Sequence, residues 1–453
     1  MNIVNPATEE IIAEVTEDNR QTIQDKYQAA SSAQPAWAAT SLQERLACIE
    51  RFYNSLQTQK DALAQTLTAE IGKPLQQSYN ELNGARSRIK FFLENSEKYL
   101  AEEWVTHEGL TKEKITYEPL GVIANISAWN YPYLVGVNVF TPALIGGNAV
   151  LYKPSEYATL TGLHIERLMQ KAGVPEYIFL CVAGKEEAGQ ALLDLPLDGY
   201  YFTGSYATGK KISEATAGKL VLVQMELGGK DPLYVMDDVN DIHQVAAAVL
   251  EGVMYNAGQS CCAVERVYVH AQVYDPFCEA IQAEAAKMKI GNPMDKSVDM
   301  GPLCRPQQVG VLQKQVEDAK AKGASVLYQS AEWPTKGYYF PITLLTGVNH
   351  GMDIMMEESF GPVAGIQKVQ DDEEAIGRMQ DTDYGLTAAV YGTNQTRAEN
   401  IMRHMRTGTV YFNCCDRVSA GLPWSGRGHS GIGATLGVQG IRAFVQAKGW
   451  HLR

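Results

Sequence analysis

Cysteines and basic residues are both scarce in this sequence. Of its 453 residues 8 are cysteines, far from the dense spacing of disulfide-stapled secreted domains, which favours a reducing compartment. The 39 Lys and Arg are outnumbered by 52 Asp and Glu, and the net charge is −13. Since binding to a phosphate backbone requires a basic face, we expect no nucleic acid partner. Met1–Pro6 contains no basic stretch followed by an apolar one, so we predict no signal peptide and a cytoplasmic protein.

Charge is missing altogether from one long stretch, which runs from Pro119 to Tyr152. A transmembrane helix needs about 20 apolar residues, so this stretch is long enough to be tested as one. Asparagines, prolines and a Gly-Gly pair interrupt it, and these residues are costly or helix-breaking in lipid. We therefore expect a buried strand, a loop and a buried helix, and no membrane partner.

Short apolar runs alternate with helical patterns along most of the chain. The run Gly121–Ile126 is typical of a strand buried in a parallel sheet, and helices are predicted near 158–172 and 240–257. This alternation predicts an α/β fold with open, mostly parallel sheets that carry helices on both faces. Ligands of such sheets bind beyond the carboxyl ends of the strands.

Five short motifs follow one another in a fixed order. They are Trp129–Pro132, Lys153–Glu156, Glu226–Lys230, Gly258–Cys261 and Glu357–Pro362. Together they resemble the aldehyde dehydrogenase superfamily of NAD(P)-dependent, hydrolytic type, and the resemblance covers nearly the whole chain. It implies two open, mostly parallel doubly wound sheets, one in a Rossmann-like cofactor domain and one in a catalytic domain, plus a small β oligomerisation element.

The resemblance also implies where these parts lie. Residues 1–107 and 120–228 are expected to form the dinucleotide-binding domain and residues 229–435 the catalytic domain, while 108–119 and 436–453 form the oligomerisation element. In the family this element pairs across subunits, so we expect a homodimer or homotetramer. A strand that alternates like Lys114–Glu118 has an edge that must be covered, which agrees with such pairing.

Three residues match the catalytic positions of the family. Cys261 matches the nucleophile, whose thiolate attacks an aldehyde to give a thiohemiacetal and then a thioester. Glu226 matches the general base that activates the hydrolytic water, and its presence favours release of a free acid. Asn130 matches the oxyanion donor that acts with the backbone N–H of Cys261. The neighbouring Cys262 leads to the hypothesis that the vicinal thiols form oxidation products.

A second group of residues resembles the cofactor site of the family. Ser205 lies where a predicted strand gives way to a helix, and a helix N-terminus binds phosphate. Lys153 and Glu156 resemble the pair that holds the adenosine ribose. A carboxylate there favours NAD over NADP, because it repels a 2′-phosphate. The full set that the resemblance implies is Trp129, Lys153, Ser155, Glu156, Gly204, Ser205, Gly209, Leu227, Glu358 and Phe360, and no metal is implied.

The mouth of the substrate site is expected to be formed by residues from three segments. These are Tyr131, Leu134, Tyr255, Ser260, Arg417 and Ser419. Tyrosine and leucine suit an aliphatic or aromatic aldehyde, whereas Arg417 with Ser419 suits a carboxylate, as in succinate semialdehyde. The alternative for Arg417 is a salt bridge to Asp416 or another nearby acid.

Two positions depart from many hydrolytic relatives. A lysine nine residues after the oxyanion asparagine is replaced by Val139, and a glutamate before a Leu-Gly pair is replaced by Thr435. Both are often credited with passing a proton from the general base to solvent. We hypothesise that Glu226 exchanges its proton by another route.

The resemblance thus implies an enzyme that oxidises an aldehyde to the free carboxylic acid with NAD(P)⁺. Two alternatives remain open, a succinate-semialdehyde dehydrogenase specifically and a non-catalytic, cofactor-binding member of the family. A panel of aldehydes with each cofactor discriminates among the three.

Overall fold

The computed structural model describes residues 1–107 and 110–453. Its strands are β1 (Asn2–Val4), β2 (Ile11–Glu14), β3 (Glu103–Thr106), β4 (Lys112–Pro119), β5 (Val122–Ile126), β6 (Ala149–Lys153), β7 (Phe179–Cys181), β8 (Gly199–Thr203), β9 (Leu222–Glu226), β10 (Asp231–Val235), β11 (Val264–His270), β12 (Ser325–Gln329), β13 (Thr343–Thr346), β14 (Val363–Val369), β15 (Thr387–Tyr391), β16 (Thr409–Phe412), β17 (Gly431–Ile432) and β18 (Val445–Leu452). Its α-helices are α1 (Arg20–Ala39), α2 (Leu42–Thr58), α3 (Lys60–Ile71), α4 (Leu75–Leu100), α5 (Pro132–Ile145), α6 (Thr159–Lys171), α7 (Glu186–Asp194), α8 (Tyr206–Thr216), α9 (Ile242–Met254), α10 (Tyr274–Ala285), α11 (Pro306–Ala321), α12 (Asp353–Met356), α13 (Asp372–Gln380), α14 (Gln395–Met402) and α15 (Gly437–Arg442).

A six-stranded sheet forms the centre of the first half of the chain. Its order is β17-β9-β8-β5-β6-β7, and β17 is the antiparallel member. Helices α1, α5 and α6 pack against its strands, and every residue of β6 is buried. At the carboxyl ends of β8 and β9, Thr203 and Glu226 lie side by side in register. This edge is where parallel sheets bind ligands.

A seven-stranded sheet forms the centre of the second half. Its order is β12-β13-β14-β11-β10-β15-β16, and β12 is the antiparallel member. Strands β10, β11 and β15 are buried along their whole length, with α9, α10 and α13 packed against this sheet. The predicted α/β class, with two mostly parallel sheets, is confirmed.

Two small antiparallel sheets complete the fold. Strands β1 and β2 pair with each other, and β4 lies between β18 and β3. Strands β4 and β18 pair along their whole length. Lys112 is opposite Leu452 at one end, and Pro119 is opposite Val445 at the other. Residues 108 and 109, where the oligomerisation element is predicted to begin, lie outside the described residues.

Helices α2, α3 and α4 bring a buried lysine to the edge of the six-stranded sheet. Helix α2 begins with a capping box between Ser41 and Glu44. Helix α3 ends at Ile71, and Gly72 follows as its C-cap with a φ of 89°. A Cβ at Gly72 would lie 2.8 Å from the ring atoms of Pro6 and Pro302, so glycine alone fits this left-handed turn. Lys73 follows directly and points inward.

The uncharged stretch folds as predicted, as buried strand β5, a loop, buried helix α5 and strand β6. Pro132 occupies the first turn of α5, where its missing N–H leaves no bond unmade. Within residues 1–107 and 110–453, no helix has the length and apolar character needed to cross a membrane.

Candidate active site

Cys261 lies on the loop between α9 and β11, and the backbone before it is held in an unusual conformation. Asn256, Ala257 and Gly258 have φ values of 54°, 54° and 70°. Such backbone costs about 1–3 kcal/mol for each non-glycine residue, so the surrounding structure must impose it. A Cβ on Gly258 would lie 2.2 Å from the carbonyl oxygen of Gly361, which leaves room for glycine alone. Cys261 follows this turn and is partly exposed.

The side chain of Asn130 is tied to this loop. Its Nδ2 donates to the carbonyl oxygen of Gln259 at 3.1 Å. In return, Nδ2 of Asn256 donates to the carbonyl oxygens of Asn130 and Gln259, both at 3.2 Å. An amide nitrogen carries two hydrogens, so Asn130 keeps one for a further acceptor. Two motifs far apart in sequence therefore meet at the same point.

A buried ion pair fixes the turn that carries Asn130. The ammonium group of Lys73 pairs with the carboxylate of Glu81, and both side chains are fully buried. Nζ of Lys73 also donates to the carbonyl oxygen of Asn130 at 2.6 Å and lies 4.0 Å from the centre of the Tyr131 ring. The other oxygen of Glu81 accepts from the N–H of Tyr133 at 2.8 Å, which caps the first turn of α5. Neither charged residue was singled out from the sequence.

Glu226 is the last residue of β9, and its side chain is buried beside the site. Burial raises the pKa of this carboxyl to about 8, although a hydrogen bond from Thr435 opposes the shift. The Thr435 hydroxyl donates to Oε1 at 3.3 Å, while Oε2 is buried without a partner among the described residues. An unpaired buried oxygen is costly, and it commonly marks a site where water or a ligand completes the bonding.

The loop after Glu226 packs directly on the Cys261 loop. A Cβ at Gly229 would lie 2.5 Å from the carbonyl oxygen of Cys261, and one at Gly228 would lie 2.3 Å from a carboxylate oxygen of Glu358. The two glycines therefore allow three segments to approach closely. This contact brings the base and nucleophile motifs together.

The N-terminus of α8 forms an open cradle beside this loop. Ser205 is the N-cap and its hydroxyl accepts from the N–H of Thr208 at 3.4 Å. A Cβ at Gly204 would lie 2.4 Å from the ring of Phe202, and one at Gly209 would lie 2.6 Å from Leu227. These glycines keep the helix start close to the sheet, and exposed N–H groups at a helix start suit a phosphate.

Lys153 and Glu156 lie at the carboxyl end of β6. Lys153 is 6 % exposed, and burial lowers the pKa of its ammonium group. Its Nζ donates to the carbonyl oxygen of Pro154 at 3.3 Å, and no carboxylate in residues 1–107 or 110–453 pairs with it. The hydroxyl of Ser155 donates to Glu156 at 3.1 Å. A buried, unpaired ammonium beside a carboxylate fits the hydroxyl groups of a ribose.

Glu358 and Phe360 lie on the loop before β14 and contact the segments that follow β9 and β5. Burial raises the pKa of Glu358 to about 8, and its carboxylate accepts from the N–H of Gly229 at 3.0 Å. Phe360 has a φ of 50° and its ring meets Trp129 edge-on at 5.5 Å. Glu265 holds this turn, since its two oxygens accept from the N–H groups of Ser359 and Phe360, both at 2.8 Å.

Comparison with known proteins agrees with this geometry. The sequence profile described as the Aldehyde dehydrogenase family matches residues 1–449. The chain belongs to the aldehyde dehydrogenase family. A relative with a similar sequence is the peroxisomal aminoaldehyde dehydrogenase 1 of Pisum sativum, 31 % identical over 457 residues that cover 98 % of this chain and 91 % of the relative.

Solved structures of similar proteins superpose closely on this one. Betaine aldehyde dehydrogenase from Staphylococcus aureus, crystallised in complex with NAD⁺, has a TM-score of 0.95 and 29 % identity, over 100 % of this chain and 91 % of that one. An NADP-dependent enzyme from E. coli has a TM-score of 0.96 and 29 % identity, over 100 % of this chain and 94 % of that one. The predicted family is confirmed.

The predicted substrate residues of this aldehyde dehydrogenase divide into two groups. Tyr131, Leu134, Tyr255 and Ser260 lie on the two loops and the helix start that frame Cys261. The hydroxyl of Tyr255 accepts from Asn80 on α4 at 3.2 Å, and the Leu134 carbonyl accepts from Arg88 at 3.0 Å. Helix α4 thus contacts both segments that carry the predicted mouth residues.

The side chains of Arg417 and Ser419 lie on the protein surface. The side chain of Arg417 is 67 % exposed and its guanidinium lies 3.8 Å from the Glu251 carboxylate, which is the alternative predicted for it. Ser419 is exposed, and its hydroxyl accepts from the N–H of Gly421 at 3.3 Å. The structure therefore does not bring the Arg417 side chain to the space in front of Cys261.

The side chain of Asp416 points inward, away from that of Arg417. Its φ is 46°, and its Oδ1 accepts from the thiol of Cys262 at 2.9 Å and from the hydroxyl of Ser260 at 3.1 Å. Contact with the Cys261 thiol, together with burial, raises the pKa of Cys262 well above its ordinary value. Burial also raises the pKa of Asp416 to about 6. Cys262 is therefore held as a neutral thiol.

Sequence reasoning missed Lys73, Glu81 and Arg88, and for two of them a signal was present. On α4 the buried positions recur at helical spacing, and Glu81 and Arg88 fall on the same face as the buried Leu82, Ala85, Ile89 and Phe92. A charge on the apolar face of a helix is either paired or functional. Within the described ranges, no group of three or more His, Cys, Asp or Glu side chains is placed to hold a metal ion.

Proposed function

We propose that this aldehyde dehydrogenase oxidises an aldehyde to the free carboxylic acid with NAD(P)⁺, through a thiohemiacetal and a thioester on Cys261. The observation that supports it most is the buried Glu226 carboxyl, with a pKa near 8 and a free Oε2, on the segment that packs against Cys261. A carboxylate whose pKa is raised toward the working pH is suited to general base catalysis.

In the first step the thiolate of Cys261 attacks the aldehyde carbon. The carbonyl oxygen becomes an oxyanion, which the second hydrogen of Asn130 Nδ2 and the backbone N–H of Cys261 stabilise. Asn130 is preorganised for this task, because Lys73, Asn256 and Gln259 hold its backbone and side chain. When bound, NAD(P)⁺ supplies the acceptor for the hydride that leaves the thiohemiacetal carbon.

In the second step water hydrolyses the thioester. The Glu226 carboxylate accepts a proton from water through Oε2, while Thr435 holds Oε1. The hydroxide attacks the acyl carbon, the C–S bond breaks, and the Cys261 thiolate is regenerated with release of the acid. In sum, an aldehyde, one water and NAD(P)⁺ give an acid, reduced cofactor and a proton.

The cofactor is proposed to lie along the edge of the six-stranded sheet. Its phosphates would contact the α8 cradle of Gly204, Ser205 and Gly209, and its adenosine ribose Lys153, Ser155 and Glu156. The nicotinamide half would lie against Leu227, Glu358, Phe360 and Trp129. The Glu156 carboxylate supports a preference for NAD. Of the similar solved structures, one is in complex with NAD⁺ and one is of an NADP-dependent enzyme.

We also propose that the chain assembles through the sheet of β3, β4 and β18. Strands β3 and β18 are its edges, and the side chains of β18 after Val445 are exposed. Exposed edge strands are prone to pairing with another chain. Size-exclusion chromatography with light scattering is expected to give a homodimer or homotetramer.

The test is a panel of aldehydes combined with NAD⁺ and with NADP⁺, followed by absorbance of the reduced nicotinamide. Reduced cofactor and free acid are expected with at least one aldehyde, and the Cys261→Ala variant is the matched inactive control. A wild-type protein that binds cofactor but reduces none with any aldehyde would instead support the non-catalytic alternative.

A further inference from the structure

Arg88 is a buried cation at the substrate site that the mechanism above does not use. It lies on α4 and is 8 % exposed. Burial lowers the pKa of its guanidinium to about 10, so it stays charged at neutral pH, and the acidic groups that act on it are Cys262, Cys261, Glu81 and Glu226. Its charge in turn favours the ionised form of Glu226, and its contacts lie on α5, which begins two residues after Asn130.

The guanidinium is held on one side and free on the other. Its Nη1 donates to the Leu134 carbonyl oxygen and to Oδ1 of Asn138, both at 3.0 Å, on the first turns of α5. In the part of the chain that the structure describes, no group accepts from Nε or Nη2, and neither nitrogen is fully enclosed. The free donors therefore keep some solvent-accessible surface although the residue as a whole is buried.

The other acids of the site already have partners. Glu81 pairs with Lys73, and Asp416 accepts from Ser260 and Cys262. The Glu226 carboxyl is mostly protonated at neutral pH, because its pKa is about 8. No carboxylate of the described residues forms an ion pair with Arg88. A buried charge without a counter-ion is costly, and a buried charge at a site is a candidate for binding a ligand of opposite charge.

The position of Arg88 also matches the path of a substrate. It contacts Leu134, a residue of the predicted mouth, and one turn further along α4 the ring of Phe91 packs near Gly421, in the loop that follows Asp416. Helix α4 thus contacts both α5 and that loop, and Arg88 lies on the side that faces α5. An aldehyde whose carbonyl carbon is at Cys261 would extend along this side of α4.

We propose that Arg88 anchors a carboxylate at the far end of the substrate, and that the preferred substrates are aldehydes that carry such an acid group. Two parallel N–H donors, Nε and Nη2, match the two oxygens of a carboxylate. The same charge repels a quaternary ammonium or an amine, which separates this chain from relatives that are named for betaine aldehyde and aminoaldehydes. This inference rests on the proposed aldehyde oxidation.

The test compares two aldehydes of equal chain length, succinate semialdehyde and butanal, with betaine aldehyde as the cationic probe. We expect the wild-type enzyme to have the highest kcat/KM for succinate semialdehyde. In Arg88→Gln the ratio of kcat/KM for succinate semialdehyde to that for butanal should fall about 10- to 100-fold, the usual effect of losing hydrogen bonds between charged groups. Any effect of Arg88 on Cys261 or Glu226 acts on both aldehydes and cancels in this ratio.

Two variants serve as matched controls. Arg86→Gln makes the same change on α4, where Arg86 contacts Gln57 and the Tyr53 ring on the outer side. Arg417→Gln removes the exposed arginine that the sequence alone suggested. Both should leave the ratio within threefold of the wild type. Arg88→Lys keeps the charge but loses the paired donors, and it should give an intermediate ratio.

A second measurement does not depend on the folding of a variant. In the wild-type enzyme, succinate should inhibit aldehyde oxidation competitively at a concentration at least tenfold lower than butyrate. The proposal is overturned if the two acids inhibit equally, if butanal or betaine aldehyde is preferred, or if Arg88→Gln leaves the ratio unchanged. Absence of reduced cofactor with every aldehyde would instead overturn the proposed function.

Discussion

The hydroxyl of Thr435 donates to the Glu226 carboxylate at 3.3 Å, although the two residues are 209 positions apart in sequence. Thr435 is the position for which the family resemblance leads us to expect a glutamate. A hydroxyl at this place orients the base and favours its ionised form, whereas a second carboxylate would disfavour it. The groups that act on the Glu226 carboxyl here are Thr435, Gln224 and Arg88.

The first prediction concerns the pH dependence of hydrolysis. Glu226 acts as a base in its ionised form, so kcat should rise as the pH increases through about 8. In Thr435→Val the hydrogen bond that lowers the pKa is lost, and the midpoint should move up by about 1 pH unit. The measurement uses an aldehyde that gives a burst of reduced cofactor, because hydrolysis then limits kcat. Thr435→Ser keeps the hydroxyl and should retain the wild-type midpoint; an unchanged midpoint in Thr435→Val would contradict the assignment.

The second prediction concerns stability. The pKa of Glu226 is about 8 in the folded chain and near 4.5 otherwise, so folding is opposed by its ionisation. Below pH 4.5 the carboxyl is neutral in both states and there is no penalty. The penalty grows as the pH rises from 4.5 to 8 and then levels off. Glu226→Gln should therefore gain stability over the wild type across this window, on the order of a few kcal/mol, since one pKa unit is about 1.4 kcal/mol.

Urea unfolding at pH 5 and pH 8.5 measures this difference. Glu50 is exposed, so Glu50→Gln is the control for removing a surface carboxylate. Its stability relative to the wild type should not increase with pH. A Glu226→Gln variant whose advantage is the same at both values would argue against a raised pKa.

How far the sequence predicts the molecule can be judged from Asn130 and Arg88. Asn130 follows a strand with no charged residue, and its motif is short and local, so pattern and spacing suffice to place it at a strand end. Arg88 lies on α4 among other charged residues, and its role depends on which side of the helix faces α5. That orientation is a property of tertiary packing, which a single sequence expresses only as a charge on an apolar face.

Asp416 and Arg417 show the same limit of prediction from sequence for two adjacent residues. As neighbours in sequence they suggest a local salt bridge or a shared place at the mouth. The left-handed conformation of Asp416, with a φ of 46°, sends the two side chains in different directions, inward to Cys262 and outward to Glu251. Such a turn at a residue other than glycine is imposed by its surroundings, so composition alone does not reveal it.

The third prediction concerns the two adjacent thiols. Cys262 is buried, donates to Asp416 and has a raised pKa, whereas Cys261 is partly exposed. One equivalent of iodoacetamide at pH 7 should therefore modify Cys261 first, because the thiolate is the reacting species. Peptide mass spectrometry identifies the site, and NAD⁺-dependent activity should fall in proportion. Cys262→Ala should be labelled at the same position, and labelling that follows Cys262 would refute this order.

The fourth prediction concerns the buried pair of Lys73 and Glu81. Lys73→Met leaves the Glu81 carboxylate buried without a cation, which should reduce the free energy of unfolding by about 3–5 kcal/mol. The Asn130 carbonyl also loses a donor, so kcat should fall even in the folded fraction. Thermal unfolding with a parallel burst measurement separates the two effects. The exposed pair of Lys90 and Glu94 offers a control, since Lys90→Met should change stability by less than about 1 kcal/mol.

The fifth prediction concerns the choice between the two cofactors. The Glu156 carboxylate is half-buried beside the Lys153 ammonium, where it accepts from Ser155 and would accept from a ribose 2′-hydroxyl. A 2′-phosphate at this place meets a negative charge, so the wild type should have a higher kcat/KM with NAD⁺ than with NADP⁺. Glu156→Gln removes the charge at constant size, and the ratio of the two values should fall about tenfold or more, because a like-charge contact near a buried site is worth at least 1.4 kcal/mol. Glu156→Asp keeps the charge and should keep the preference. If the wild type uses both cofactors equally and Glu156→Gln changes neither value, then Lys153 neutralises the carboxylate and Glu156 does not discriminate.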